Sequence, residues 1–392
     1  MQPKVLMFGW ELPPYNSGGL GEACLGLCKS LSKKGVHITF VLPKKVDLNI
    51  DFMELVFADI DEITKLYPAY TSSGSWQKFL TSDSLPPDFV QGALKFAKKA
   101  EKIAEKHKPD IIHSHDWMTY PAGVAAKSIT DKPMVAHVHS TEFDRTGGHY
   151  PNPTVFKIEK EGLIHADAVL PVGGFMKNIL IEKYNVEPDK IRVVYNGIDE
   201  TSDQVYLPAL SAFRKMGFKV VLFLGRITLQ KGPEYFVRAA KKVLDYDPKV
   251  IFVVTGSGDM QDYMITEAAK LGILDKFVFT GFLRGEEKNR IYQSADIYVM
   301  PSVSEPFGIT ALEAVSNHTP VLVSKQSGVA EILQNALKVD FWDINEMANK
   351  ILATLKYKEL SEDLKNESKK EIKNFSWGKA ADSVLDVYHK LM

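Results

Sequence analysis

The feature that most restricts the fold of this chain is a repeated alternation. Short, continuously apolar segments are separated by stretches whose apolar residues recur at helical spacing. The first series opens with KVLMFG, Lys4–Gly9. A helical stripe follows at Leu20, Ala23, Cys24, Leu27 and Leu31, ended by Gly35. Further strands read as VHITFVL (Val36–Leu42), IIHSH (Ile111–His115), PMVAHVH (Pro133–His139), AVLPV (Ala168–Val172) and IRVVYN (Ile191–Asn196). Residues 44–88 show weak periodicity and are expected to hold loops and short elements. The second series reads KVVLFLG (Lys219–Gly225), KVIFVVTG (Lys249–Gly256), KFVFTG (Lys276–Gly281), DIYVMP (Asp296–Pro301) and TPVLVS (Thr319–Ser324). Continuous apolar strands alternating with helices belong to parallel sheets covered on both faces.

A chain of 392 residues is too long for one ordinary core. The two series therefore predict an α/β protein of two doubly wound, Rossmann-like domains, residues 1–205 and 206–375. The polar stretch Glu200–Gln204 precedes the second series, and the domains are expected to join near residues 200–215. In such sheets ligands sit beyond the carboxyl ends of the strands, so chemistry is expected in the strand-end loops, facing a cleft.

Charge narrows the partners. Lys and Arg total 48 against 49 Asp and Glu, which offers no basic field for nucleic acid or anionic lipid. Cys24 and Cys28 stand one turn apart on the same helix face, stacked rather than facing each other, and read as reduced core residues. No apolar run reaches membrane-spanning length, and the N-terminal residues lack the shape of a signal peptide. A cytoplasmic protein is expected; the oligomeric state stays open.

Four strand-end loops carry residues suited to a nucleotide sugar. Gly18, Gly19 and Gly21 form a strand-to-helix turn, where backbone can approach a phosphate at a helix N-terminus. The spacing is not the GxGxxG dinucleotide pattern. In GRITLQKG, Arg226 and Lys231 follow a strand; an Arg fork with a Lys point charge can hold a pyrophosphate and neutralise it as it leaves. TGSGD places Gly256 at the next strand end, open to a base. In SEPFGITALEA, Glu305 falls in a strand-end loop and Glu313 on the helix behind the Gly308 turn, and carboxylates suit the paired hydroxyls of a ribose or hexose. In the first domain His113 and His115, then His137 and His139, end two strands, with Asp116 next. Alternation is expected to turn His113 and His137 away from their neighbours. An HxH pair on a strand can supply two metal ligands, and a metal site is the competing reading there; the rest of the chain shows no Cys/His/Asp cluster with ligand spacing, so no metal site is expected. Each motif alone also admits a bland reading: packed glycines, solvated cations, capping carboxylates.

Taken in order, GGLG, HSHDW, HVHS, GRITLQKG and SEPFGITALE resemble family four of the retaining glycosyltransferases, with the B-type two-domain fold, and are similar to glycogen and starch synthases. By that resemblance Arg226 and Lys231 hold the donor diphosphate and Glu313 the donor ribose. Glu305 and the backbone of Phe307, Gly308 and Ile309 bind the donor sugar, Gly18 and Gly19 approach the phosphate, and Asp116 and His139 line the sugar site. The C-terminal helix, residues 376–392, with Trp377, Ala380, Val384, Tyr388 and Leu391 at helical spacing, crosses back onto the first domain. Asn16 and Glu22 stand where bacterial glycogen synthases typically carry a Lys and an Asp.

The implied reaction is metal-independent, retaining transfer of a hexosyl group, with glucose expected, from ADP-glucose or a UDP-sugar to a saccharide acceptor, an α-1,4-glucan among the candidates. Attack comes from the front face, and the leaving phosphate oxygen takes the acceptor's proton, without a cofactor. For a double displacement, Asp116 is the candidate nucleophile. A glucan phosphorylase, a sugar-nucleotide epimerase and a non-catalytic sugar-nucleotide-binding protein remain as alternatives.

Overall fold

The computed structural model describes residues 2–15, 18–60, 87–148, 150–199 and 207–392. Asn16 and the stretch Glu200–Gln204 lie outside them. The chain divides into two compact units: the described residues before Ile198 together with Ser376–Met392, and Ile198–Phe375. The division falls at residue 198; the sequence reading put it at 205/206.

The first unit holds a six-stranded sheet of order β3-β2-β1-β4-β5-β6. Its strands are β1 Lys4–Phe8, β2 His37–Leu42, β3 Glu54–Phe57, β4 Ile111–His115, β5 Met134–Val138 and β6 Ala168–Pro171, all paired in parallel. The helices are α1 Gly19–Lys33, α2 Pro87–His107, α3 Tyr120–Thr130, α4 Glu142–Arg145, α5 Pro153–His165 and α6 Gly174–Tyr184. Every residue of β4 and β5 is buried, as a parallel sheet covered on both faces requires. One face of β4 meets α3, where Gly123 leaves room for Ser114: a Cβ there would lie 2.2 Å from its hydroxyl.

The second unit repeats the plan with order β12-β11-β10-β7-β8-β9. The strands are β7 Lys219–Leu224, β8 Val250–Thr255, β9 Phe277–Gly281, β10 Ile297–Met300, β11 Val321–Ser324 and β12 Leu337–Val339. The helices are α7 Pro208–Lys215, α8 Pro233–Tyr246, α9 Gln261–Lys270, α10 Gly285–Gln293, α11 Ile309–Ser316, α12 Val329–Ile332, α13 Ile344–Lys356 and α14 Lys358–Ile372. Its core stacks Phe252 on Phe277 at 5.4 Å and sets Phe236 edge-on to Phe252 at 5.7 Å. The last helix, α15 Trp377–Leu391, belongs to the first unit. Its Trp377 ring seats on Gly26 of α1, where a Cβ would lie 2.3 Å from the indole.

One expected strand is absent among the described residues. IRVVYN runs beside β6 with a single bridge, Ile191 to Val169, and two backbone bonds, Arg192 to Val169 and Val194 to Pro171. Two short edge strands, β3 and β12, were not expected. Each is partly exposed and too short for a clear period-two pattern. No described helix is long and apolar enough to cross a membrane.

Candidate active site

In both sheets the strand order reverses at one place, between β1 and β4 and between β7 and β10, and that is where a doubly wound sheet opens a crevice at its carboxyl ends. In the second unit the crevice is built from the loops after β7 and β10. Lys231, on the turn after β7, pairs through Nζ with Glu305 Oε2, in the loop after β10. Ser302 Oγ donates to the same oxygen at 3.4 Å. The Glu305 backbone is fixed as well: its N–H donates to Gln326 O at 3.0 Å, and its carbonyl accepts from Gly328 N–H at 2.9 Å. Arg226, half-buried, directs Nη2 to Gln230 Oε1 at 3.3 Å.

Behind that loop Gly308 opens α11 at φ 108°, a left-handed conformation that favours glycine, with the buried Phe307 before it and Ile309 as the first helical residue. Glu313 lies on α11, one face of it toward α10. Lys288 Nζ stands 2.7 Å from Glu313 Oε1, and the Tyr292 hydroxyl donates to Oε2 at 3.0 Å. Burial, with the nearby carboxylate, raises the Tyr292 hydroxyl far above its usual range, so it stays a neutral donor. Each Glu313 oxygen thus has one donor and keeps acceptor capacity for a further hydroxyl. Lys288 and Tyr292 were missed in the sequence; their i,i+4 spacing on one helix face is the signal that could have found them.

Gly256 meets a packing requirement of its own. It sits at φ 130°, and a Cβ there would lie 1.9 Å from the Gly225 carbonyl oxygen. The glycine lets the loops after β8 and β7 touch, and the contact needs no ligand.

In the first unit Gly18 caps α1 and Gly19 begins it. Asp116, nearly fully buried at φ 61°, accepts from the backbone N–H of His139 at 2.7 Å and of Ser140 at 3.3 Å. It fastens the loop after β5 to the loop after β4. His139 follows β5 with burial pushing its pKa down to about 3, so the imidazole is neutral.

The expected alternation of the histidines is wrong. His113, His115, His137 and His139 stack on one face of β4 and β5, with centroids 4.5 Å apart along each strand and 5.3 Å across. Residues i and i+2 of a strand share a face, so two HxH pairs on adjacent strands, with His115 opposite His137, form a staggered cluster of four rings. The absence of a metal-type cluster was also misread. Linear spacing cannot see across a sheet, and His113, His115 and His137 each bring a ring nitrogen within 4.8 Å of the others, while the Cys24 sulfur lies within the same distance of ring nitrogens of His115 and His139. Both cysteines are free and buried.

A second buried network went unread. Arg145 Nε stands 2.9 Å from Glu142 Oε2 and Nη2 pairs with Glu159, whose other oxygen accepts from the Tyr184 hydroxyl. Asn152 N–H donates to Glu142 at 3.1 Å. Burial, with Glu142 alongside, pushes the Glu159 carboxyl up to about 7 against the pull of Arg145. The unit braces the segment after His139, since Arg145 Nη1 also reaches Ser140 O at 3.5 Å.

Comparison with known proteins accords with this geometry. Residues 17–202 match the family described as Glycosyltransferase Family 4, and residues 211–371 match Glycosyl transferases group 1. A protein named as an uncharacterized glycosyltransferase of Methanocaldococcus jannaschii is 33% identical across 98% of this chain and 97% of its own. The glycogen synthase of Mycobacterium tuberculosis is 27% identical across 85% of this chain and 80% of its own. Among solved structures, Anabaena HepE in complex with UDP-glucose is similar with a TM-score of 0.75 at 17% identity, covering 100% of each chain. The paired, parallel six-stranded sheets and the two family matches agree, and the chain belongs to the family 4 glycosyltransferases, with their B-type fold of two Rossmann-like domains.

Proposed function

We propose that the protein is a retaining hexosyltransferase that moves glucose from ADP-glucose or UDP-glucose to a saccharide acceptor, with an α-1,4-glucan the first to test. The observation that carries the reading is the Lys231–Glu305 pair at the β7/β10 crevice, backed by the doubly held Glu313. Lys231 and Arg226 take the diphosphate and offset its charge as it leaves, so the transfer step uses no divalent cation and no cofactor. Glu313 receives the ribose hydroxyls. Glu305, with the Phe307, Gly308 and Ile309 backbone, receives the sugar. Gly18 and Gly19 approach the phosphate, and His139 lines the sugar site as a neutral hydrogen-bonding group. Asp116 spends a carboxylate oxygen on two backbone N–H groups, which suits positioning His139 rather than nucleophilic attack. The family match favours transfer over the phosphorolytic, epimerase and binding-only alternatives. Two unbridged thiols fit a reducing, cytoplasmic setting.

The test is nucleoside diphosphate release from a donor panel, with and without glycogen or maltooligosaccharides. Turnover is expected without added divalent cations, unchanged by Mg²⁺ or Mn²⁺, giving an α-linked product. Absence of release with every donor and acceptor, or an absolute Mg²⁺ or Mn²⁺ requirement, defeats the reading.

The two glutamates should separate kinetically. Ribose contacts are much the same in ground and transition states, so Glu313→Ala should mainly raise donor KM. Hydrogen bonds to a charged group are worth about 1.5–3 kcal/mol, or roughly 10- to 150-fold. Lys288→Met should move KM the same way by a smaller factor, since it removes only one support of the carboxylate. Sugar contacts tighten as positive charge develops at the anomeric carbon, so Glu305→Ala should mainly lower kcat. The assignment fails if Glu313→Ala damages kcat alone while Glu305→Ala alters only KM.

A further inference from the structure

We propose that the histidine cluster at β4 and β5 is a binding site for one zinc-class divalent ion, with His113, His115 and His137 as its imidazole ligands. One ring nitrogen of each lies within 4.8 Å of the others', and all three side chains are closed to solvent. Ligating histidines characteristically have their second nitrogen held by a partner that fixes the ring. His113 and His115 meet that condition. His113 Nδ1 lies 2.5 Å from the Tyr388 hydroxyl of α15, and His115 Nδ1 lies 3.0 Å from His139 Nε2.

A second observation points to a guest. His115 Nε2 is a buried nitrogen with no hydrogen-bond partner. Orphaned buried polar atoms destabilise a fold and are rare, and one set among clustered imidazoles calls for an occupant. His113 Nε2 now faces His137 Nδ1 at 3.2 Å. Ligands with bonds of 2.0–2.1 Å to one tetrahedral ion stand about 3.3 Å apart, so an ion replaces that contact with little movement.

The donor set chooses the ion. Imidazole nitrogens without carboxylates suit Zn²⁺, Cu²⁺ or Ni²⁺ and discriminate against Mg²⁺ and Ca²⁺. The ion's role is structural: it joins β4 to β5 and, through Tyr388, to the C-terminal helix. It does not depend on the transferase reading, which rests on Arg226, Lys231, Glu305 and Glu313.

The experiment takes the tag-free full-length chain, stripped with chelator and desalted, and dialyses it against micromolar Zn²⁺. One ion per chain and a Zn²⁺-dependent rise in thermal midpoint are expected, with no response to Mg²⁺. Tyr388→Phe, which removes only the hydroxyl behind His113, should weaken Zn²⁺ binding roughly 10- to 100-fold. Cys24→Ser should leave binding intact, and Co²⁺ should give a visible spectrum without a thiolate charge-transfer band. Less than a tenth of an ion per chain with no thermal shift overturns the site. Unaltered affinity in Tyr388→Phe, or loss of binding in Cys24→Ser, overturns the ligand set.

Discussion

Replacing Lys231 by alanine is expected to lower kcat roughly 10²–10³-fold, about 2.7–4 kcal/mol of transition-state stabilisation. The charge on the departing diphosphate grows as the sugar–oxygen bond breaks, and a cation fixed at that point acts more strongly on the transition state than on the bound donor. Donor KM should therefore change less than kcat. Lys231 is held ready on a short turn closed by Gly232, which must stay glycine: at φ 66°, its Cβ would lie 2.0 Å from the Pro301 carbonyl oxygen. Lys231 is also paired with Glu305, so the substitution leaves a largely buried carboxylate with Ser302 as its remaining side-chain donor among the described residues. Some loss of stability is expected on that account, and it must be separated from the kinetic effect. Assaying below the variant's melting transition does so, and the melting midpoint of the Lys231→Ala/Glu305→Gln double variant, which removes both charges, reports the stability part alone. An unchanged kcat in a folded Lys231→Ala protein would refute the role.

The strands of both sheets were legible because buried parallel strands are continuously apolar. KVVLFL and VIFVVT have no other economical reading. Positions along those strands carried over to the loops, so Arg226, Lys231 and Glu305 could be placed at strand ends before the fold was known. What could not be read depended on pairing between distant segments. The histidine cluster requires β4 beside β5 in a register that sets His115 opposite His137. Lys288 and Tyr292 acquire meaning only when α10 lies against α11. Gly256 looked like an opening for a ligand, whereas its requirement comes from the Gly225 carbonyl. The edge strands β3 and β12 are short and half-exposed, where apolar periodicity is weakest. One missed feature did leave a trace: on α5, Glu159 occupies the apolar phase shared by Val155, Gly162 and Leu163. A carboxylate on a buried stripe demands a cationic partner somewhere.

That partner is Arg145, and Arg145→Met is expected to give the largest loss of stability of any substitution considered. The guanidinium and both carboxylates are almost completely shielded from solvent, with side-chain exposures of 4% for Arg145, 0% for Glu142 and 3% for Glu159. Removing one partner of a buried ion pair costs about 3–5 kcal/mol because the other is left uncompensated. For a unit of this size that lowers the melting midpoint by roughly 6–20 °C. The pH dependence identifies the cause. Glu159 is pushed up to about 7 even with Arg145 present, against an ordinary value of 4.5, and losing the cation raises it and Glu142 further. A carboxyl whose folded pKa exceeds its unfolded value holds its proton more tightly when folded. Its contribution to stability is complete below the unfolded pKa and is lost as pH rises through the folded one. The deficit of Arg145→Met relative to the parent should thus be smallest near pH 4.5 and widen toward pH 8, by up to about 1.4 kcal/mol per pH unit for each carboxyl. The buried histidines, whose depressed pKa values destabilise both proteins alike at acid pH, cancel in the difference. In the Glu142→Gln/Glu159→Gln background the deficit caused by Arg145→Met should no longer vary with pH, because neither member of that pair keeps a titratable carboxyl of the network. Urea unfolding of the four proteins between pH 4.5 and 8 measures this. A deficit that stays constant with pH would mean that Arg145 contributes packing rather than charge, and that Glu142 and Glu159 find their compensation elsewhere.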